Sequence, residues 1–267
     1  IPIKKKCIAK HKPLSRSYFK MVEICNIFDL LNEYTNMNGL RTFHLAEGPG
    51  GFIEALLNTR RCVHDKYIGM TIIDNNNDQN IPGWKKTDFF LKQNKNVLIE
   101  VGQDGTGNIL SLENLQYCNK KYESSMDLIT ADGGFDFSID YSQQEKQIFK
   151  LLVCSFMIGF QVLATHGTMV IKLFDTYSTS TKTLISICGS FFKEYSLFKP
   201  LTSRPCNSER YFIGKKFKGT NNSINKIIEI MVIINQSIMV IKIILILIMI
   251  IKVIIREIII RSNNLRN

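Results

Sequence analysis

The residues of this 267-residue chain that could do chemistry stand where apolar runs end. Glu47-Gly48-Pro49-Gly50-Gly51 separates the short run Thr42 to Ala46 from Phe52 to Leu57. Glycines between a strand and a helix let the backbone approach a ligand and leave helix N-terminal amides facing it, which suits an anionic group. The spacing is neither the Gly-x-x-x-x-Gly-Lys of a phosphate loop nor the Gly-x-Gly-x-x-Gly of a dinucleotide site. A tight turn made on glycine for structural reasons alone reads the same residues equally well. Asp132-Gly133-Gly134 follows directly on Met126 to Ala131. That places its carboxylate at the carboxyl end of a strand, the edge where open α/β sheets bind ligands. Lys172 sits inside Met169-Val170-Ile171-Lys172-Leu173-Phe174. A lysine in a buried strand costs free energy unless its amine finds a partner or neutralises. Snorkelling to solvent is the bland alternative.

The elements that must position these residues follow from periodicity. Residues 15–38 carry Ile24, Ile27, Phe28 and Leu31 at helical spacing and end near Gly39. Strands are expected at Thr42 to Ala46, Tyr67 to Ile73, Val97 to Val101, Met126 to Ala131 and Thr168 to Phe174. Helices are expected at Phe52 to Leu57, Leu112 to Cys118, 145–164 and 181–192, with late β-like stretches at Tyr195 to Phe198 and Tyr211 to Ile213. Strands alternating with helices imply a mostly parallel, doubly wound α/β sheet covered on both faces, with an antiparallel finish.

The formal charge of +11 is uneven. Lys4, Lys5, Lys6, Lys10, Lys12, Arg16 and Lys20 stand in the first twenty residues with no acid among them, while residues 21–220 balance. Such an arm suits a polyanion, because neutralised phosphates release counterions, and it equally suits a solvated chain end. The seven cysteines form no Cys-x-x-Cys pair and the four histidines are scattered, so reduced thiols, an intracellular (cytoplasmic or nuclear) protein and no metal site are expected. The chain begins on Ile1, so the lack of a signal peptide carries little weight. From Ile224 to Ile260, 19 of 37 positions are isoleucine, which reads as low-complexity sequence rather than a selected structure. If helical, this tail would be hydrophobic on every side. Lys242 and Lys252 lie within 238–255, its nearest approach to the roughly 20 apolar residues of a membrane span, and a membrane anchor is not expected.

Taken in order, Ser15-Arg16-Ser17-Tyr18-Phe19-Lys20, Glu47-Gly48-Pro49-Gly50-Gly51, Thr130-Ala131-Asp132-Gly133-Gly134, Ile171-Lys172 and Ser203-Arg204-Pro205-Cys206-Asn207-Ser208-Glu209-Arg210-Tyr211 form a specific set. The set resembles the FtsJ-like family of RNA 2′-O-ribose methyltransferases over roughly residues 12–218. His44 to Ile53 and Asp104-Gly105-Thr106-Gly107-Asn108-Ile109 look most like the Adrift-type cap methyltransferases and related enzymes of large DNA viruses. The resemblance implies a Rossmann-like methyltransferase domain over 15–219, between a basic arm at 1–14 and an isoleucine-rich tail at 220–267. It implies a catalytic tetrad of Lys20, Asp132, Lys172 and Glu209. It also implies S-adenosyl-L-methionine held by Glu47, Gly48, Pro49, Gly50, Gly51, Phe52, Asp104 and Asp132, with Asp104 near the adenine. Where many methyltransferases hold the cofactor ribose with an acid after the second strand, this chain has Ile72-Ile73-Asp74 and then an asparagine run, which leaves Asp74 a doubtful ligand.

These residue types suit the chemistry. Methyl transfer from a sulfonium is an in-line displacement that needs no metal, and the nucleophilic hydroxyl must be held and lose its proton. A free lysine, with a pKa of about 10.4, is protonated at neutral pH, and burial beside a second cation favours its neutral form. Lys172 is accordingly expected as the general base, oriented by the other three residues. The expected partner is RNA, at the capped 5′ end of mRNA, with Tyr18, Phe19, Phe135, Phe137 and Tyr211 as candidate stacking surfaces. Core packing is the preferred reading for Phe19 and Phe135. Ribosomal RNA is the alternative substrate, and an inactive methyltransferase-like RNA-binding subunit the alternative class.

Overall fold

In a computed structural model of the chain, residues 11–73, 83–84, 87–134 and 144–236 are described. Asp74, Phe135, Phe137, residues 1–10 of the basic arm and residues 237–267 of the tail lie outside them.

Seven strands form one sheet in the order β3-β2-β1-β4-β5-β7-β6. They are β1 (Arg41–Leu45), β2 (Lys66–Met70), β3 (Val97–Glu100), β4 (Met126–Ala131), β5 (Leu163–Leu173), β6 (Phe192–Phe198) and β7 (Arg210–Phe217). The pairings of β1 with β2 and β4, β2 with β3, and β4 with β5 are parallel, whereas β7 runs antiparallel to β5 and β6. The expected doubly wound sheet with an antiparallel last strand is thus present. The sheet reverses direction of winding between β1 and β4, so the loops after those strands diverge and leave a crevice at their carboxyl ends.

Helices cover both faces. One carries α1 (Ser17–Phe28), α2 (Gly51–Arg60) and α3 (Asp88–Gln93) over a core that includes Met21, Ile24, Phe52, Ile53, Tyr67, Leu128 and Val170. The other carries α4 (Leu112–Tyr122), α5 (Gln144–Val162), α6 (Thr179–Ser190) and α7 (Asn222–Gln236). α5 buries Val153, Phe156, Met157 and Phe160 and packs on α4, α6 and α7, which explains its nearly uninterrupted apolar sequence.

Strand alternation decides which side chains share a face. In β5, Met169, Ile171 and Leu173 join the α5 core, while Val170 joins the α1 core, so Lys172 points to the α1 side. Tyr211, opposite Lys172 in the antiparallel register, joins that same core.

Several boundaries differ from the periodicity. The helix expected over 15–38 ends at Phe28, where Asp29 adopts a left-handed conformation, and Asn32–Tyr34 form a separate 3₁₀ turn. β5 begins at Leu163, ahead of the expected Thr168, and α3 had no clear periodic signal. The composition break after Gly219 does not separate α7 from the core. Ile224, Ile227, Ile228 and Met231, at i, i+3, i+4 and i+7, are buried in the α5 core, while Asn225, Lys226 and Glu229 face outward. This part of the isoleucine-rich segment is therefore one-sided rather than hydrophobic all round. No described helix is long and apolar enough to cross a membrane.

Candidate active site

Four of the expected residues meet at one edge of the sheet. Parallel β4 and β5 end there and antiparallel β7 begins there, so Asp132, Lys172 and Glu209 arrive from three neighbouring strands. Lys20 comes from the second turn's start of α1, which packs on α2. Its amine donates to both oxygens of Glu209, at 2.9 and 3.0 Å, and lies 4.0 Å from Asp132 Oδ1. Lys172 Nζ lies 3.3 Å from Asp132 Oδ1 and 4.0 Å from Glu209 Oε2, and donates to the Asp132 carbonyl at 2.6 Å. The side chains of all four are between 7% and 13% exposed. A lysine in an apolar strand is thus paired rather than snorkelling, which removes the cost of burying its charge alone.

Two further residues complete the network. Ser203 donates its hydroxyl proton to Glu209 Oε1 at 2.7 Å. Tyr211 donates to Asp132 Oδ1 at 2.7 Å, and Lys20 Nζ lies 5.8 Å from its ring centroid. Tyr211 is fully buried, so its expected use as a stacking surface for a base is not realised. Burial and the nearby Asp132 and Glu209 charges push its phenol pKa well up, so it remains a donor. Its place opposite Lys172 was the signal available in the sequence, had the register of β7 been known. Tyr18 packs partly buried against the α1 core, with its ring edge-on to Phe19.

The glycine turn is tightly packed, in keeping with the structural one of its two readings. Gly50, the α2 N-cap residue, holds φ +105°, a conformation that needs glycine. A Cβ on Gly51 would stand 2.2 Å from the hydroxyls of Ser15 and Ser17, and one on Gly48 would stand 2.5 Å from the Gly83 carbonyl. These two glycines serve close packing of neighbouring segments against the turn. Two of the helix amides are already taken. Glu47 Oε1 accepts from Phe52 N at 2.6 Å and Ile53 N at 3.3 Å, capping α2 from within. Glu47 Oε2 is buried and has no hydrogen-bond partner among the described residues. Burial first, and then the Asp132 charge, hold the Glu47 carboxyl well above its ordinary range. The turn therefore presents an unsatisfied carboxyl oxygen next to Asp132. That fits the ammonium and sulfonium end of S-adenosylmethionine better than it fits a phosphate.

Asp104 lies beyond β3 on the same edge of the sheet. Its Oδ1 accepts from Thr106 N, Thr106 Oγ1 and Asn114 Nδ2, and these hydrogen bonds lower its pKa. Asn114, fully buried, also binds the Asp104 amide and the Asn108 carbonyl. A Cβ on Gly107 would stand 2.0 Å from the Thr71 carbonyl, so this loop is seated on the end of β2. Asp104 thus shapes the loop with its side chain, a role its spacing did not reveal. Among the described residues no three His, Cys, Asp or Glu side chains gather as a metal site.

The chain is similar to known proteins in sequence and in fold. The profile of the FtsJ-like methyltransferase family matches residues 13–217. Cap-specific mRNA (nucleoside-2'-O-)-methyltransferase 1 of Dictyostelium discoideum is 32% identical over 225 residues, covering 76% of this chain and 29% of the relative. The Homo sapiens protein of the same name is 31% identical over 198 residues, covering 71% of this chain and 23% of the relative. The chain thus spans less than a third of the length of these curated relatives. A solved chain described as a ribosomal RNA methyltransferase from Plasmodium falciparum aligns with a TM-score of 0.53 and 19% identity over 78% of this chain and all of the other, a likeness of fold. With the match running from Pro13, ahead of the lysine of α1, to Phe217 at the end of β7, the chain belongs to the FtsJ-like methyltransferase family.

Proposed function

We propose that this chain transfers a methyl group from S-adenosyl-L-methionine to a ribose 2′-hydroxyl of RNA, at the capped 5′ end of mRNA. The observation that carries this reading is the convergence of Lys20, Asp132, Lys172 and Glu209 beside the Glu47 to Phe52 turn. Glu47, the backbone of Gly48, Pro49, Gly50, Gly51 and Phe52, the Asp104 loop and Asp132 would hold the cofactor, which supplies an electrophilic methyl group when bound. Lys172, as the neutral amine, takes the proton of the ribose hydroxyl and becomes the ammonium that Asp132 and Glu209 pair. Asp132 fixes the Lys172 amine through its carboxylate and carbonyl, and Tyr211 fixes Asp132. Glu209, held by Ser203, fixes Lys20, whose amine stays within reach of Asp132 and can also hold the ribose. Holding the oxygen in line with the methyl group is the main contribution asked of such a site.

An open cavity of about 200 Å³ adjoins Lys20 and Glu209, with Arg16, Arg204 and Asn207 on its walls. Two guanidinium groups beside the tetrad suit the phosphates on either side of the target ribose. The cap assignment is supported by the names of relatives such as those of Dictyostelium discoideum, Xenopus laevis and Mus musculus, which concern capped mRNA. The test incubates the chain with labelled S-adenosylmethionine and matched capped, uncapped and ribosomal RNAs. Label is expected on the capped RNA and absent with Lys172→Ala. Unchanged incorporation in that variant sinks the mechanism, and equal labelling of uncapped or ribosomal RNA sinks the cap assignment.

A further inference from the structure

We propose that Glu23 is a positioning residue for methyl transfer: from α1 it clamps the turn that sets Ser203 and Arg204 against the tetrad, and so governs how tightly RNA is held. The inference rests on the RNA methyltransferase reading above. Residues 199–209 join β6 to β7 and deliver Glu209. Leu201, 90% exposed, and the exposed Thr202, Arg204, Pro205 and Cys206 give this segment little apolar surface to bury, so polar ties must fix its shape.

One such tie is a turn, in which Ser203 N donates to the Pro200 carbonyl at 3.1 Å. A turn of this kind leaves the amides of its two central residues without an acceptor of its own. Glu23 supplies one: Oε1 accepts from Leu201 N at 2.7 Å, and Oε2 accepts from Thr202 N at 2.9 Å and Thr202 Oγ1 at 2.7 Å. Bonds to an ionised carboxylate are about twice as strong as neutral ones. Partial burial opposes that charge, and the Thr202 and Leu201 bonds outweigh it, keeping the Glu23 carboxyl below its ordinary range. Glu23 stands three residues beyond Lys20, on the same face of α1. One helix face therefore grips the segment near both ends, Lys20 at Glu209 and Glu23 at Leu201 and Thr202. The turn's last residue, Ser203, reaches Glu209, and the next, Arg204, walls the cavity shared with Arg16 and Lys20.

The charge of Glu23 makes the test one of sign. By Coulomb's law alone, removing an acid next to a cavity for RNA phosphates strengthens RNA binding, whereas loss of the clamp weakens it. Methyl transfer to capped RNA by the full chain separates the two, with the KM for RNA, kcat and, by calorimetry, cofactor affinity measured for each variant. Glu23→Ala is expected to raise the KM for RNA about tenfold, and Glu23→Gln, which keeps one accepting oxygen, about threefold. Because Glu209 keeps both Lys20 bonds, kcat is expected to stay within about twofold and cofactor affinity to hold. In an Arg204→Ala chain, whose KM is already raised, the further effect of Glu23→Ala should shrink to about twofold or less, because the clamp acts through that guanidinium. An unchanged or lower KM, a fall confined to kcat, a matching loss of cofactor affinity, or Glu23 and Arg204 effects that multiply in full overturns the inference and leaves the methyltransferase reading standing. Should Glu23→Ala fail to fold, Glu23→Gln supports the same comparisons. No methyl transfer to any RNA by the wild type overturns both.

Discussion

Replacing Lys20 by methionine removes the amine that holds both oxygens of Glu209 and leaves that carboxylate with the Ser203 hydroxyl at 2.7 Å and Lys172 at 4.0 Å. Exposed ion pairs contribute about 0 to 1 kcal/mol, whereas removing one partner of a buried pair costs about 3 to 5 kcal/mol. With side chains 12% and 7% exposed, Lys20 and Glu209 belong near the buried end, so Lys20→Met is expected to cost about 3 kcal/mol. Glu209→Gln alone strands the lysine amine and has a comparable cost. The double replacement removes both charges, and a cycle of the four proteins should show a coupling of about 2 kcal/mol, read from urea midpoints at unchanged slope. A coupling below about 0.5 kcal/mol would mean that solvent screens the pair and would refute the burial argument. Methyl transfer adds an independent reading. The double variant regains stability but lacks the Lys20 amine, so its activity should remain lost. Recovery of activity would reduce the pair to a structural brace.

Tyr211→Phe removes the hydrogen bond to Asp132 and is expected to cost about 1 to 2 kcal/mol, slowing methyl transfer while cofactor affinity holds; an unaltered rate counts against its role in fixing Asp132. Gly51→Ala forces a Cβ to within 2.2 Å of the Ser15 and Ser17 hydroxyls and displaces the segment leading to Lys20, at a cost of about 1 to 3 kcal/mol; an unchanged melting temperature would contradict the packing described. Asn114→Ala unties the Asp104 loop, so cofactor affinity should fall together with about 1 to 3 kcal/mol of stability, and calorimetry that finds affinity intact would remove the loop from the cofactor site. Because the folded-state pKa of Glu47 lies well above the ordinary 4.5, its contribution to stability is fully present below that value and is lost as the pH rises through the folded one. Glu47→Gln should therefore gain on the wild type as pH rises through this window, and parallel stability curves from about pH 4 to about 9 would refute it.

Strand position placed Asp132 and Lys172 at the ligand edge from sequence alone, because an apolar run followed by Asp-Gly-Gly, and a lysine within a second run, have few other readings in an α/β chain. Lys20 and Glu209 were legible only through the ordered motifs, since their 189-residue separation leaves no local signal of contact. Chain order and periodicity also carried the winding of the sheet, its antiparallel last strand and most helices, all of which depend on local spacing and burial. Three matters belonged to the tertiary structure. Which face Lys172 meets depends on strand parity across β4, β5 and β7, and only their pairing sets it. Whether the glycine turn offers amides or a carboxyl depends on where the Glu47 side chain folds, and it folds onto α2. Whether isoleucines after Gly219 belong to the core depends on a partner, and α5 supplies one for Ile224, Ile227, Ile228 and Met231. In each case composition and spacing state what a residue can do, while the groups brought against it from distant sequence decide what it does.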